Sequence, residues 1–339
     1  MMTLGMKIFL VILLTLRQGK PDTDPCSPID KYSIKLPGKA EALAGSCVLV
    51  PCKFILPQDC KIDSSQPIHG IWFKGEEKET VLDTNQFEWI KMPGDLYQQN
   101  CTSVFYNVES NDADKYYFRV ENSALKYTYR MTPLNLMVKD SPASPHVSGP
   151  SEVAEGTSVN VTCTAAAPCP YQPPNITWSF HTGDITTHIQ DEGDGRRNLT
   201  SFLTFTASRS DHGSNIFCTV SYITQKENTE EKNSTLHTLK VQFSPQVVEA
   251  SVSSSGAVAE GSSVTLTCNS SEANPPVHDY TWFRDTQTSP VGSGPNITFS
   301  VSSSHAGLYY CRAEHPQGGK ESNRVELKVA GLSFKLVLL

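Results

Sequence analysis

The sequence lacks an apolar run long enough to cross a membrane. The apolar run at residues 8–16 is too short to span a bilayer and has the length of a signal-peptide core. Residues 1–19 are therefore predicted to be a signal peptide. After the last strand-like segment, residues 331–339 form a short apolar tail that includes a lysine and is also too short for a bilayer. We expect an exported chain with no membrane span in this sequence.

The signatures of an enzyme are also missing. Serine, histidine and aspartate are present, but they form no nucleophile elbow, paired-carboxylate pattern or phosphate loop. The nine histidines are scattered and no cysteine pair has zinc-site spacing, so we expect no metal and no other cofactor. Asp211 and His212 could suggest acid–base chemistry. They fall in the turn before Cys218 and are interpreted as structural.

The sequence has fewer basic than acidic residues. The chain has 28 lysines and arginines against 35 aspartates and glutamates, which gives a formal net charge of −7. Nucleic acids and anionic membrane surfaces attract proteins with an excess of basic residues. The charge balance argues against both as partners.

Cysteine, by contrast, is abundant. Ten cysteines are far more than a reduced cytosolic chain carries unless they bind metal. Asn-x-Ser/Thr sequons agree with passage through the secretory route. The candidate glycosylation sites are Asn100, Asn160, Asn175, Asn198, Asn233, Asn269 and Asn296.

Three repeats of one pattern organise the chain. Each opens with a glycine-containing turn and a strand that ends in a cysteine, at Cys52, Cys163 and Cys268. A tryptophan then follows in an apolar strand, and all three are interpreted as core residues: Trp72, Trp178 and Trp282. In the second and third repeats another cysteine completes the Cys-Trp-Cys signature of an immunoglobulin sandwich.

These repeats predict an all-β protein of three tandem immunoglobulin-like β-sandwiches, one V-set and two C2-set. The predicted domains cover residues 20–140, 145–243 and 246–330, with proline-containing joints between them. Tyr309 lies two residues before Cys311, as a tyrosine corner requires.

The first domain departs from the pattern on its sixth strand, residues 112–121. Phe118 stands where the second cysteine belongs, and Arg119 follows it. Successive strand residues point to opposite faces of a sheet. If Phe118 fills the core, Arg119 must project from the outer face, where it can receive a carboxylate.

Strand topology predicts three of the disulfides. The ordinary bonds between sheets are predicted to be Cys163–Cys218 and Cys268–Cys311. In the first domain the fifth strand supplies Cys101 as the partner of Cys52, because strands two and five are neighbours in one sheet. That bond would join two strands of a single sheet and leave the space between the sheets to Phe118.

The remaining four cysteines are assigned by their positions. Cys47 and Cys169 lie at the ends where the first two domains meet, so we predict a bond between Cys47 and Cys169. Cys26, ahead of the first strand, and Cys60, in the loop after the second, share the far tip of domain one. We predict a Cys26–Cys60 bond there.

Together these residues resemble the Siglecs, the sialic-acid-binding immunoglobulin-like lectins, over essentially the whole mature length. The resemblance rests on the paired cysteines that end at Cys52, on Cys101 eighteen residues before Arg119, on Cys169, and on the segment that ends at Cys218. Residues 67–73 further resemble the third strand of myelin-associated glycoprotein and its relatives.

The resemblance implies that Arg119 pairs with the carboxylate of a terminal sialic acid. A guanidinium is a planar fork that matches a carboxylate bidentately. On the following hairpin, Tyr127 matches the family's aromatic position, with Lys126 and Thr128 giving flanking backbone contacts. Tyr32 stands where the family has a tryptophan, and it offers an apolar face with an added hydroxyl.

Each of these residues also has an ordinary structural alternative. Arg119 could be tied down by Glu121 or Glu109, either of which would compete with a ligand. Tyr127 and Tyr32 could serve cross-strand packing.

The predicted function is that of a cell-surface lectin, not an enzyme, that binds sialylated glycoproteins or glycolipids in cis or trans. The predicted location is the extracellular side of the plasma membrane, or outside the cell if the chain is secreted. One alternative is an immunoglobulin adhesion module that binds proteins without sialic acid. Another is a soluble decoy form of a Siglec-like receptor. The lectin alternatives need Arg119, and the adhesion alternative does not.

Overall fold

The computed structural model describes residues 31–330, except for residues 59, 77–79, 84–88, 124, 181, 193–195 and 225–228. The predicted signal peptide, Cys26 and the apolar tail lie outside the described residues. The described residues divide into two compact units, one up to residue 140 and the other from residue 141. Within the described part, the regular structure consists of β-strands and short 3-10 turns.

The first unit contains the predicted V-set domain. Its strands are β1 (Ser33–Lys35), β2 (Lys39–Leu43), β3 (Val48–Val50), β4 (Lys53–Ile55), β5 (His69–Lys74), β6 (Thr80–Asp83), β7 (Ile90–Lys91), β8 (Ser103–Phe105), β9 (Asp114–Asn122), β10 (Leu125–Thr128) and β11 (Leu134–Lys139).

These strands form two layers around one core. The larger sheet has the order β2-β11-β9-β5-β6, and β10 also pairs with β9. The smaller layer contains the β3-β8-β7 sheet and the β1–β4 pair. Strand β6 extends the larger sheet beyond β5, as the additional strands of a variable-type domain do. The first domain has this V-set arrangement, as predicted.

The second strand of the first domain, predicted to end at Cys52, is interrupted in the structure. It is divided into β3 and β4, which pair with β8 and β1 respectively. The division falls at Pro51 and Cys52. Proline has no backbone N–H to donate to a ladder, so the strand is interrupted there, although Lys53 still forms an antiparallel bridge with Asn100.

Aromatic residues fill the core of the first domain. Phe118 and Trp72 are each 0% exposed, and their ring centroids are 5.4 Å apart. The ring centroid of Phe54, which is also 0% exposed, lies 5.9 Å from that of Phe118. The prediction that Phe118 occupies the core is confirmed. A disulfide joins Cys52 to Cys101, and the backbone N–H of Cys101 donates to the carbonyl of Cys52 at 2.9 Å, as between neighbouring strands of one sheet.

The second unit begins with the first C2-set domain. Its strands are β12 (His146–Ser148), β13 (Glu152–Ala154), β14 (Ser158–Ala166), β15 (Asn175–Trp178), β16 (Asp184–Asp191), β17 (Arg197–Thr206), β18 (Asn215–Ile216), β19 (Cys218–Ile223), β20 (Thr229–Asn233), β21 (His237–Thr238) and β22 (Lys240–Gln242). The principal sheets are β12-β14-β17-β16 and β15-β19-β20. Cys163 on β14 and Cys218 on β19 join the two sheets.

The other C2-set domain also consists of two principal sheets joined by a disulfide. Its strands are β23 (Val248–Val252), β24 (Val258–Ala259), β25 (Ser263–Ser270), β26 (Tyr280–Arg284), β27 (Gly292–Ser293), β28 (Asn296–Ser300), β29 (Gly307–Ala313), β30 (Lys320–Glu321), β31 (Val325–Leu327) and β32 (Val329–Ala330). Its sheets are β23-β25-β28 and β27-β26-β29-β30, and β31 also pairs with β29. Cys268 on β25 and Cys311 on β29 form the disulfide between them.

Buried polar contacts complete these cores. The indole nitrogens of Trp72 and Trp178 donate to the hydroxyls of Ser103 and Ser201, each at 3.0 Å. Trp282 is fully buried, so all three repeat tryptophans are core residues as predicted.

A tyrosine corner is present in two of the domains. The hydroxyl of Tyr309 donates to the carbonyl of His305 at 2.9 Å, as predicted. Tyr116, two residues before Phe118, makes the same bond to the carbonyl of Asp112 at 2.7 Å. The V-set domain therefore keeps its tyrosine corner although it has lost the cysteine.

Cys47, Cys60 and Cys169 are also disulfide-bonded, and none of the described cysteines is free. The pairings Cys47–Cys169 and Cys26–Cys60 stay predictions.

Candidate functional site

Arg119 lies in the middle of the larger V-set sheet. Strand β9 pairs with β5 on one side and β10 on the other, so Arg119 is opposite Ile71 and Thr128. Its neighbours Phe118 and Val120 are both 0% exposed. Because side chains alternate along a strand, Arg119 must point away from the core. Its side chain is 27% exposed.

Two contacts hold the guanidinium of Arg119. Its Nε donates to Oε1 of Glu121 at 2.6 Å, and its Nη1 donates to Oγ1 of Thr128 at 2.9 Å. A guanidinium has five N–H donors. In the described part of the chain, the bonds to Glu121 and Thr128 use two of these five donors.

Of the two carboxylates that could tie down Arg119, the structure selects Glu121. The two residues are separated by one position on β9 and therefore share a face. Glu109 instead precedes the 3-10 turn Ser110–Asp112, where its backbone N–H donates to Oδ2 of Asp112 at 2.9 Å.

Charged residues form a second row beside Arg119. Glu121 lies opposite His69 on β5 and opposite Lys126 on β10. Residues directly opposite in an antiparallel pair have neighbouring side chains on the same face. Lys126 is exposed, so this row presents both signs of charge to solvent beside the guanidinium.

The backbone of β10 offers further donors. Tyr129 donates its N–H to the carbonyl of Phe118 at 2.9 Å, which marks this pair as hydrogen-bonded. Because hydrogen bonding alternates along an antiparallel pair, Tyr127 also directs its N–H towards β9. Lys126 and Thr128 therefore direct their N–H groups to the opposite edge. Within the described residues, only β9 pairs with β10.

Tyr32 and Tyr127 form a stacked pair at this edge. Their ring centroids are 3.9 Å apart and their planes differ by 11°. Tyr127 lies opposite the buried Val120, so its ring starts from the inner side of the sheet, unlike the side chain of Arg119. Both rings also contact Tyr129, edge-on. Burial raises the pKa of the Tyr129 phenol well above its usual range.

The five predicted sugar-binding residues thus fall into two neighbouring groups. Arg119 and Thr128 are in contact on the outer face, and Tyr32 and Tyr127 are in contact at the edge. Lys126 lies between Tyr127 and Leu125 along β10, with its side chain exposed.

Sequence reasoning missed the role of the Thr128 side chain, which was expected to contribute only its backbone. Its hydroxyl is the acceptor for Arg119. Asn122 pairs with Leu125, and counting outward from this hairpin places Thr128 opposite Arg119. The length of the hairpin loop is the sequence signal that could have identified the contact.

Asp211 and His212 serve structural roles. Oδ2 of Asp211 accepts from the backbone N–H of Ser208 at 2.8 Å. Nδ1 of His212 accepts from the backbone N–H of Val241 at 3.2 Å. Nδ1 of His212 also lies 3.4 Å from Nδ2 of Asn274, so both side chains have structural hydrogen-bond partners.

The sequons differ in exposure. Six asparagines are exposed: Asn100, Asn160, Asn175, Asn233, Asn269 and Asn296. Asn198 on β17 is half-buried, and its Nδ2 donates to Oε1 of Glu192 at 3.0 Å.

The described residues contain no cluster of three or more histidine, cysteine or acidic side chains suited to a metal ion. No helix in this part of the chain has the length and apolarity needed to span a membrane.

Two family models match the second unit of the chain. The CD80-like C2-set immunoglobulin domain matches residues 145–229, and the immunoglobulin domain matches residues 245–329.

Several curated proteins are similar over most of the chain. Sialic acid-binding Ig-like lectin 12 of Mus musculus is 25% identical over 324 residues, which cover 87% of this chain and 67% of that protein. Myelin-associated glycoprotein of Homo sapiens is 27% identical over 88% of this chain and 48% of its own length. Sialic acid-binding Ig-like lectin 9 of Homo sapiens is 27% identical over 82% of this chain and 64% of its own length. The chain thus spans about half the length of myelin-associated glycoprotein.

Among solved structures, the full ectodomain (Ig1–Ig3) of mouse nectin-like molecule 4 has a TM-score of 0.45 and 17% sequence identity. The alignment covers 86% of this chain and 96% of that chain.

Proposed function

From this Siglec-like sequence, we propose that the first domain binds terminal sialic acid on glycoproteins or glycolipids through Arg119. The protein then acts as a lectin in cell recognition or adhesion, not as an enzyme, and works outside the cell. The observation that carries the proposal is the outward guanidinium of Arg119, held by Thr128 beside the edge of β10 that faces no other described strand.

The chemistry of the site suits a sugar that carries a carboxylate. A charge-assisted hydrogen bond to a guanidinium contributes about 1.5–3 kcal/mol. The backbone N–H groups of Lys126 and Thr128 can donate to an amide carbonyl or hydroxyl of the same sugar. The stacked rings of Tyr32 and Tyr127 pack against the core but stay partly exposed at the same edge, where they can offer an apolar surface. Acid, amide and apolar groups of one sugar would each meet a matching group.

One ion pair and a shallow face give weak binding to a single glycan, because association itself costs free energy. Useful affinity would come from many copies on a cell surface that meet many glycans. Glycans on the same cell or on an opposing cell could serve as partners. The C2-set domains would then act as a spacer.

The test is binding of the secreted chain, multimerised through a C-terminal tag, to sialylated glycans and to the same glycans after sialidase treatment. We expect sialic-acid-dependent binding that Arg119→Ala abolishes. Arg312→Ala, in the third domain, is the matched control. Like Arg119, Arg312 lies on a strand and pairs with a carboxylate two residues later, here Glu314 at 3.5 Å. Absence of sialic-acid-dependent binding in a folded wild-type chain would refute the proposal.

One observation supports a second candidate function, adhesion to protein surfaces without sialic acid. Arg119 already has a carboxylate partner in Glu121, so its position does not require a ligand. Under this alternative, Arg119→Ala leaves cell adhesion intact. The same set of variants therefore separates the two functions.

A further inference from the structure

We infer that Glu121 competes with an incoming carboxylate for Arg119 and thereby lowers the affinity of the site. The inference rests on the proposed function, because the external carboxylate is that of sialic acid. Glu121 would set how many glycans must be engaged together before binding is stable.

The geometry places Glu121 on one side of the guanidinium. Its Oε1 lies 2.6 Å from Nε of Arg119, and the two side chains are 30% and 27% exposed. A carboxylate can bind a guanidinium through Nε and one Nη, or through both Nη atoms. Glu121 blocks the first approach. A ligand that uses the second approach would share one positive charge with Glu121, and the two carboxylates would repel each other.

Thr128 makes Glu121 unnecessary for orienting the arginine. Its hydroxyl holds Nη1 at 2.9 Å and brings no negative charge. A neutral acceptor can thus position the guanidinium without repelling an anion. The negative charge of Glu121 adds a cost for an anionic ligand that Thr128 does not.

The neighbouring row of charges gives Glu121 an alternative position. His69 and Lys126 lie opposite Glu121 on the two adjacent strands. When a ligand displaces Glu121 from Arg119, its carboxylate can turn towards the ammonium group of Lys126. The competition is therefore reversible and modest.

The variant Glu121→Gln tests this inference in the full secreted chain. Glutamine removes the charge, keeps the length of the side chain, and retains a carbonyl oxygen that can accept from Nε. The probe is the methyl α-glycoside of N-acetylneuraminic acid, titrated while the Arg Nε–H signals are followed by NMR. We expect the Kd of Glu121→Gln to be roughly two- to fivefold lower than that of the wild type, since a partly exposed ion pair contributes up to about 1 kcal/mol.

Glu314→Gln is the matched control, because it removes the same charge from the equivalent pair with Arg312. Its Kd should equal that of the wild type. Thermal unfolding of each variant checks that the fold is intact.

Lys126→Ala provides an independent measurement. The substitution removes the ammonium group to which the displaced carboxylate of Glu121 can turn. Sialoside binding should therefore weaken in the wild-type background, and weaken less in the Glu121→Gln background, which has no carboxylate to displace. An equal change in Kd in the two backgrounds would show that Lys126 does not bind the displaced carboxylate of Glu121.

The outcomes separate this inference from the proposed function. Unchanged or weaker binding by Glu121→Gln, with binding by the wild type, overturns the competition alone. Binding of the monovalent sialoside by Glu121→Gln but not by the wild type, while the multimerised wild type still binds sialylated glycans, supports the competition in its strongest form. Absence of binding in both proteins overturns the proposed function and the competition together.

Discussion

Thr128 accepts a hydrogen bond from Nη1 of Arg119 across the β9–β10 pair, at 2.9 Å. The contact joins the one outward arginine of the proposed site to the strand that would supply its backbone donors. An arginine side chain loses considerable rotamer freedom when it binds. Thr128 restricts that freedom before a ligand arrives.

The first prediction concerns this contact. Thr128→Val removes the acceptor and keeps the shape of the side chain. We expect the Kd for a sialoside to rise by roughly two- to tenfold, which corresponds to the loss of about 0.5–1.5 kcal/mol. Thr281→Val is the control, because Thr281 lies opposite Arg312 in the third domain. An unchanged Kd for Thr128→Val would show that Arg119 is oriented without its help.

The second prediction concerns the stacked tyrosines. Tyr32→Ala removes the ring that packs on Tyr127, and an aromatic pair contributes about 0.5–1.5 kcal/mol beyond its buried area. We expect weaker sialoside binding and a lower melting temperature, whereas Tyr32→Phe should bind like the wild type. Tyr97→Ala is the control, since Tyr97 is 42% exposed in the same domain. Full binding by a folded Tyr32→Ala chain would exclude Tyr32 from the site.

The third prediction concerns the core under the site. Phe118→Ala leaves a cavity between Trp72 and Phe54, and such changes cost about 3–5 kcal/mol. Hydrogen exchange measured by mass spectrometry should show faster exchange in β9 and β5. Exchange in β19, which lies in the second unit, should stay the same. Equal protection of β9 in variant and wild type would contradict a packing role for Phe118.

The fourth prediction concerns acid stability. Two hydrogen bonds from Arg209, at 3.0 and 2.9 Å, lower the pKa of Glu155 below its ordinary value of 4.5. A lowered carboxyl pKa stabilises the fold above the unfolded-state value, and this stability is lost as the pH falls through the folded-state value. Melting temperatures of wild type and Glu155→Gln should differ slightly at pH 7 and converge below about pH 4.

A substitution of Arg209, the partner of Glu155, checks whether their ion pair causes the melting temperatures to converge at low pH. Arg209→Gln should lose the same dependence on pH, although Arg209 also lies over the ring of Phe243 at 5.1 Å and its loss costs more at every pH. A constant difference between wild type and Glu155→Gln from pH 7 to pH 3 would contradict the assignment.

The fifth prediction concerns glycosylation. Asn198 is half-buried and bonded to Glu192, so processing enzymes should reach a glycan there less easily than at the exposed sequons. Glycopeptide mass spectrometry should find the glycan at Asn198 less processed than the glycan at Asn160, which is exposed. Complex-type glycans in equal proportion at both positions would contradict this.

Much of the fold followed from the sequence. The three repeats predicted the order of the domains because each cysteine and tryptophan marks a strand whose position in an immunoglobulin sandwich is fixed by topology. The boundaries of the second strand in the first domain were less predictable. Pro51 interrupts that strand, and the pairing of β4 with β1 depends on which strands lie alongside.

The sequence by itself determined that Phe118 is buried and Arg119 points outward, because side chains on a strand alternate between its faces. Only the tertiary structure decided the partners of Arg119. Glu121 and Glu109 were equal candidates along the chain, and the turn at residues 110–112 takes Glu109 away from the guanidinium.

The tertiary structure also brought Tyr32 onto Tyr127, although the two residues belong to opposite ends of the domain sequence. Alternation along a strand is a local property that two or three residues reveal. Contacts between strands depend on register and on the order of strands in the sheets, which arise only when the whole domain packs around its core.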